Sequence, residues 1–168
     1  MKGNIVVNIP KCVGCHSCEI ACAVEHSLSK SLYTAIHESP RPQKRVNVEC
    51  YGNSNLPLQC RHCEDAPCVR VCPTNALYKE NMEEVVFVEQ NRCIGCKWCV
   101  LACPFGVITL SPEDKAVIKC DLCNERAREG EQPACVEGCP TGALEVSTVE
   151  ETARTKRREF LVEFLREE

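Results

Sequence analysis

Cys12-Val13-Gly14-Cys15-His16-Ser17-Cys18-Glu19-Ile20-Ala21-Cys22 decides how the whole chain is read. Its thiols are spaced so that three sit on one tight loop and the fourth begins the next helical turn, facing away. The spacing returns at Cys93, Cys96, Cys99 and Cys103. Two looser groups lie between and after them: Cys60, Cys63, Cys68, Cys72 and Cys120, Cys123, Cys135, Cys139. Of the 17 cysteines, Cys50 alone stands outside these four quartets.

About one residue in ten is cysteine, the density of a disulfide or metal scaffold. The hydrophobic share of 44% includes them, and aromatic residues make up only 5%. A core of Leu and Phe alone would normally draw on more than this over 168 residues. The apolar run Ile5–Ile9 is too short for a signal peptide, and no stretch approaches a membrane span. A cytoplasmic, reducing location is therefore expected, where thiols ligate metal rather than pair. The net charge of -4 argues against nucleic acid as a partner.

The C-x2-C-x2-C-x3-C spacing is the ligand pattern of [4Fe-4S] clusters in bacterial ferredoxins, with the fourth Cys serving the other cluster of a pair. Four quartets of soft thiolates then predict four [4Fe-4S] clusters. All-cysteine zinc sites would use the same count, but the third Cys of each tight loop would crowd a single tetrahedral ion. Cys12 to His16 also matches the C-x-x-C-H haem signature, yet Cys18 and Cys22 complete the other pattern. His16 is read as a surface residue or one lying just outside the ligands.

Internal repetition supports two related units. Cys68-Val-Arg-Val-Cys72-Pro-Thr-Asn-Ala-Leu77 aligns with Cys135-Val-Glu-Gly-Cys139-Pro-Thr-Gly-Ala-Leu144. Short β-rich runs are expected at Ile5–Ile9, Val46–Val48, Ala76–Tyr78, Val85–Val88, Val107–Leu110 and Ala116–Ile118. Lys79–Glu84 and Ser111–Asp114 read as turns. Short helices should follow Cys18, Cys68, Cys99 and Cys135, with Pro73, Pro104 and Pro140 stopping three of the groups. The fold class is α+β, with clusters forming much of the core.

Cys15-His-Ser-Cys18-Glu-Ile-Ala-Cys22-Ala-Val-Glu-His26, Pro40-Arg-Pro42 and Pro57-Leu-Gln-Cys60-Arg-His-Cys63 narrow the reading further. With all four groups in order, the chain resembles the four-cluster, ferredoxin-like electron-transfer subunits of molybdenum or tungsten oxidoreductases, hydrogenases and CO dehydrogenases. It looks most similar to the small iron–sulfur subunits of CO dehydrogenase systems and tungsten aldehyde oxidoreductases. Ala23 replaces the Pro of simple ferredoxins, as in that subfamily.

The resemblance implies a nested pairing of ligands. Cys12, Cys15, Cys18 and Cys139 would hold one cluster, and Cys22, Cys120, Cys123 and Cys135 a second. Cys60, Cys63, Cys68 and Cys103 would hold a third, and Cys72, Cys93, Cys96 and Cys99 a fourth. It implies two nested bacterial-ferredoxin-like units, an outer one of residues 1–54 with 113–147 and an inner one of 55–112, followed by a helical tail, 148–168. Single electrons would pass between a metal-containing catalytic subunit, of tungsten aldehyde oxidoreductase or CO dehydrogenase type, and a second redox subunit or soluble carrier. A formate dehydrogenase or hydrogenase subunit, a free polyferredoxin and self-association into a longer cluster chain are the alternatives kept. No nucleotide or flavin motif and no catalytic triad is present, so no catalytic site of its own is expected, nor insertion into a membrane.

Four oxidised clusters with their thiolates would take the formal charge to about -12. Backbone N–H groups must offset much of this. Lys11, Arg61, Arg92, Lys97 and Lys119 lie next to or between ligands, either raising cluster potentials or merely solvating the surface. Trp98 reads as a solvent shield, Ser39–Arg45 as a solvated loop or docking strap, and Cys50 as a small buried residue. In the tail, Thr148-Val-Glu-Glu151 fits a capping box, and Phe160, Leu161, Phe164 and Leu165 fall near one face as a candidate docking stripe.

Overall fold

Ile5-Val6-Val7 and Leu144-Glu145-Val146 are β-rich segments separated by most of the chain, and the structure joins them. The computed structural model describes residues 3–80, 85–111 and 116–166. In it β1 (Asn4–Val7) runs antiparallel to β8 (Leu144–Ser147), with Ile5 opposite Val146 and Val7 opposite Leu144. This ribbon brings the first cysteine group beside the end of the fourth. A shorter ribbon, β4 (Leu77–Tyr78) with β5 (Phe87–Val88), does the same for the end of the second group and the start of the third. The expected turns at Lys79–Glu84 and Ser111–Asp114 fall largely outside the described residues.

Two further ribbons complete the strands found among the described residues. β2 (Val46–Tyr51) and β3 (Ser54–Gln59) form a hairpin closed by Gly52 and Asn53, with Gly52 at φ 57, the positive-φ geometry that such two-residue loops require. Pro57 is tolerated in β3 because a two-stranded ribbon leaves every strand a free edge. β6 (Thr109–Leu110) pairs with β7 (Val117–Ile118). Strand pairing thus crosses residues 54/55 and 112/113, where the two nested units were expected to meet.

The helices that carry cysteines are short, because each is anchored by them and halted soon after. α1 (Ser17–Glu25) carries Cys18 and Cys22, and α2 (Leu32–Ala35) follows it. α3 (Pro67–Arg70) carries Cys68, α4 (Trp98–Ala102) carries Cys99, and α6 (Ala134–Glu137) carries Cys135. α5 (Asn124–Arg128) is polar but for Ala127 and is held by Arg126, which pairs with Glu25 at 3.1 Å and with Glu131 and Glu137. α7 (Val149–Phe164) starts at the full capping box of Thr148 and Glu151.

Cysteines share both hydrophobic cores. One gathers Ile5, Val46, Val48, Val136 and Leu144 around Cys18, Cys22 and Cys135. The other gathers Ala66, Leu77, Val86, Ile108 and Val117 around Cys68 and Cys99. Neither contains a buried aromatic ring, in line with the low aromatic content. α7 stands apart from both, with no buried residue and with Phe160, Leu161, Phe164 and Leu165 each more than half exposed. No helix of the described residues is long and apolar enough to cross a membrane.

Candidate metal centres

The two tight cysteine loops are shaped alike. Gly14 and Gly95 take φ 67 and 68, and His16 and Lys97 take φ 60 and 66 immediately before α1 and α4. His62, Leu122 and Cys123 also adopt positive φ. Five of the seven described non-glycine residues with positive φ therefore sit in cysteine loops, so backbone strain is concentrated where the ligands are. The turns after the second and fourth groups repeat as well, with Asn75 at φ 52 and Gly142 at φ 60.

Backbone hydrogen bonds carry the chain between groups in the same way twice. Asn8 N donates to Ala143 O at 2.8 Å, and Glu89 N donates to Ala76 O at 2.7 Å. Cys12, Cys15, Cys18 and Cys139 come together around one hollow. Cys60, Cys63, Cys68 and Cys103 surround another. Cys135 lies within electrostatic reach of Cys120, Cys22 and Cys123, and also of Cys18 in the neighbouring group. Cys99 is similarly close to Cys93 and Cys96, and Cys72 packs on the same core as Cys93 and Cys99.

Both hollows are lined by four thiols and mostly apolar groups, with no carboxylate. That soft donor set in a dry setting fits an iron–sulfur cluster and not a hard cation. Backbone N–H groups already point at sulfur: Arg45 N to Cys22 Sγ and Ala143 N to Cys139 Sγ at 3.2 Å, and His62 N to Cys60 Sγ and Leu122 N to Cys120 Sγ at 3.4 Å. Such donors offset thiolate charge.

Burial pushes the Cys18, Cys68 and Cys123 thiols up to about 11 and Cys120 to about 12, and Cys135 is raised further. These sites hold protons until a metal displaces them. Cys72 and Cys139 go the other way. Burial opposes their thiolates, but N–H groups of the following turns, with Thr74 and Thr141, outweigh it and lower both. Cys15 and Cys96 are exposed.

Several sequence readings change here. Cys50 is exposed rather than buried, its thiol 2.9 Å from Asn55 Oδ1. Two of the three cations of the Ser39–Arg45 segment are engaged, Lys44 with Glu19 at 2.7 Å and Arg45 with Asp121 at 2.5 Å, while Arg41 is exposed. His16 lies at the surface as read, paired with Glu19 at 3.2 Å, and Trp98 is 59% exposed beside Cys99. Of the five cations near ligands, Lys11, Arg92 and Lys97 are exposed, Arg61 is intermediate and Lys119 is buried.

Asp121 was missed by sequence reasoning. It accepts from His26 Nε2 at 3.2 Å as well as from Arg45, beside Cys22 and Cys123. Burial disfavours the charged imidazole of His26, but Asp121 and Cys22 outweigh it and raise the pKa to about 9. Burial also opposes the Asp121 carboxylate, yet His26 and Arg45 hold it well below the usual carboxylate range. The only sequence signal was a carboxylate inside a C-x-x-C loop.

A 4Fe-4S dicluster domain model matches residues 53–149, more than half of the chain. The chain belongs to the 4Fe-4S dicluster domain family. It is 44% identical over 158 residues to an iron–sulfur protein of Rhodospirillum rubrum, covering 86% of this chain and 82% of that one. YsaA of Escherichia coli K12 is 43% identical over 162 residues, 95% of this chain and 98% of that protein. The thiosulfate reductase electron transfer subunit PhsB of Salmonella typhi is 38% identical over 143 residues, covering 84% and 73%. This dicluster-family chain is accordingly a ferredoxin-like iron–sulfur electron-transfer protein.

Proposed function

We propose that the chain relays single electrons through four [4Fe-4S] clusters between a catalytic oxidoreductase subunit and a redox partner. Bound clusters of this type supply one-electron chemistry without proton uptake of their own. The observation that carries the reading is the convergence of distant cysteines, above all Cys139 with Cys12, Cys15 and Cys18 around one hollow. The ligand sets are those of the nested pairing: Cys12/Cys15/Cys18/Cys139, Cys22/Cys120/Cys123/Cys135, Cys60/Cys63/Cys68/Cys103 and Cys72/Cys93/Cys96/Cys99.

In this arrangement α1 links the first two sites by bearing Cys18 and Cys22, and α6 bears Cys135 with Cys139 just beyond its end; α3 with Cys68 and the following Cys72, and α4 with Cys99 and the following Cys103, link the last two. The four sites then form a row, with Cys15 at one end and Cys96 at the other, both exposed. Val13 and Ile94, 64% and 60% exposed in the corresponding loops, present apolar surface for a partner at each end. The catalytic partner is of the tungsten aldehyde oxidoreductase or CO dehydrogenase type, and the compartment is the reducing cytoplasm. The Phe160, Leu161, Phe164 and Leu165 stripe of α7 docks that catalytic subunit.

Anaerobic affinity purification from the native host tests this reading. The full chain should bring down a metal-containing oxidoreductase subunit, and a chain lacking residues 155–168 should keep its iron but retain less of it. Purification of a free, fully loaded monomer would favour a diffusible polyferredoxin instead.

A further inference from the structure

Val86 is 1% exposed and precedes β5, so the β4–β5 ribbon does not pair its backbone. Left alone in the core, its N–H and C=O would each be costly to desolvate. His62 Nδ1 accepts the N–H at 3.0 Å, and Lys119 Nζ donates to the carbonyl. The same Nζ donates to Cys120 O at 2.6 Å. Lys119 therefore bridges a wall residue of the Cys60/Cys63/Cys68/Cys103 hollow and the backbone of a ligand in the Cys22/Cys120/Cys123/Cys135 group.

The lysine is 3% exposed, and both of its bonded partners are uncharged carbonyls. His62 offers no charge either, since an Nδ1 that accepts a hydrogen bond is unprotonated. The neighbouring carboxylate, Asp121, is engaged by Arg45 and His26. Among the described residues no carboxylate pairs with Lys119. A buried ammonium without a counter-charge is strongly unfavourable. Thiolates are the remaining source of negative charge, and Lys119 lies close enough to Cys68 and Cys120 to favour the charged form of both.

We propose that Lys119 is the shared counter-ion of the two middle centres, raising their reduction potentials relative to those at the ends of the row. The inference rests on the reading that both quartets hold clusters. Exposed Lys11, Arg92 and Lys97 do not compete for this role, because water and salt screen them. A fixed positive charge favours the reduced, more negative state of each adjoining centre, and its removal lowers both potentials.

EPR-monitored anaerobic redox titration of the loaded chain tests the proposal with Lys119→Gln and Lys119→Arg. Gln keeps a hydrogen-bond donor and removes the charge; Arg keeps the charge. In Lys119→Gln two of the four couples should fall by a tenfold shift in the ratio of reduced to oxidised, about 59 mV for one electron. The other two should stay, and Lys119→Arg should keep all four. Unmoved potentials in a fully loaded Lys119→Gln, or an equal shift of all four, would overturn the proposal. If Gln fails to load while Arg loads with wild-type potentials, the need for charge stands; loss of iron in both would show a need for size alone and overturn it. Wild-type protein holding fewer than four clusters would instead overturn the underlying reading of function.

Discussion

Gly138→Ala is expected to loosen one half of the molecule through a single methyl group. Gly138 caps α6, and a Cβ built there lies 2.7 Å from Ala21 Cβ on α1 and 3.1 Å from Ala134 O. Carbon atoms rest at about 3.5–4.0 Å, so the two helices must part by roughly 1 Å. α1 carries Cys18 and Cys22, α6 carries Cys135, and Cys139 follows Gly138 directly, so the displacement strains ligands of two sites. Overpacking of this kind costs about 1–3 kcal/mol, roughly a fivefold to hundredfold loss in the folding equilibrium. Anaerobic urea unfolding, followed by cluster absorption and circular dichroism, measures it alongside iron content. Gly52→Ala is the control: at φ 57 with nothing within 4 Å of the added methyl, it should cost backbone strain but no iron. A Gly138→Ala protein with the wild-type urea midpoint and full iron would refute the close α1–α6 packing as a determinant of the ligand geometry.

Three other outcomes follow from the same structure. Thr148→Ala removes the acceptor for Glu151 N–H and should cost about 1 kcal/mol, lowering helical circular dichroism without loss of iron; unchanged helicity would count against the capping box. The His26–Asp121 pair stabilises the fold fully below the ordinary imidazole value of 6.5 and loses that contribution as pH rises through about 9, while Asp121 gives its share up only in acid below its ordinary 3.8. Asp121→Asn should therefore flatten the alkaline side of a urea-midpoint profile, and an unaltered alkaline slope would show the pair to be irrelevant. Cys139→Ser should lose or convert the cluster on Cys12, Cys15 and Cys18, whereas Cys50→Ser should keep every cluster; an EPR change at the Cys22/Cys120/Cys123/Cys135 site in Cys139→Ser would contradict the crossed pairing.

What could be read in advance was what is written locally. The cysteine intervals and the Pro-Thr-x-Ala-Leu repeats pointed to the helices at Cys18, Cys68, Cys99 and Cys135, and the Thr148–Glu151 box marked the start of α7. β3 was not legible, because Ser54-Asn55-Leu56-Pro57-Leu58-Gln59 lacks β-branched residues and contains a proline that only a free edge accommodates. α5 offers a single apolar residue, Ala127, and Arg126 ties it to Glu25, 101 residues away. The His26–Asp121–Arg45 network spans 95 and 76 residues, so no local pattern announces it. Lys119 was one of five cations beside ligands in the sequence, and burial alone separates it from the others.

Iron and acid-labile sulfide, measured per chain on anaerobically prepared protein, test the four-cluster account most directly. The account predicts about sixteen of each, from four four-iron clusters. About eight of each would confine the clusters to one ferredoxin-like unit, and zinc without sulfide would remove the electron-transfer mechanism altogether; either result would contradict it.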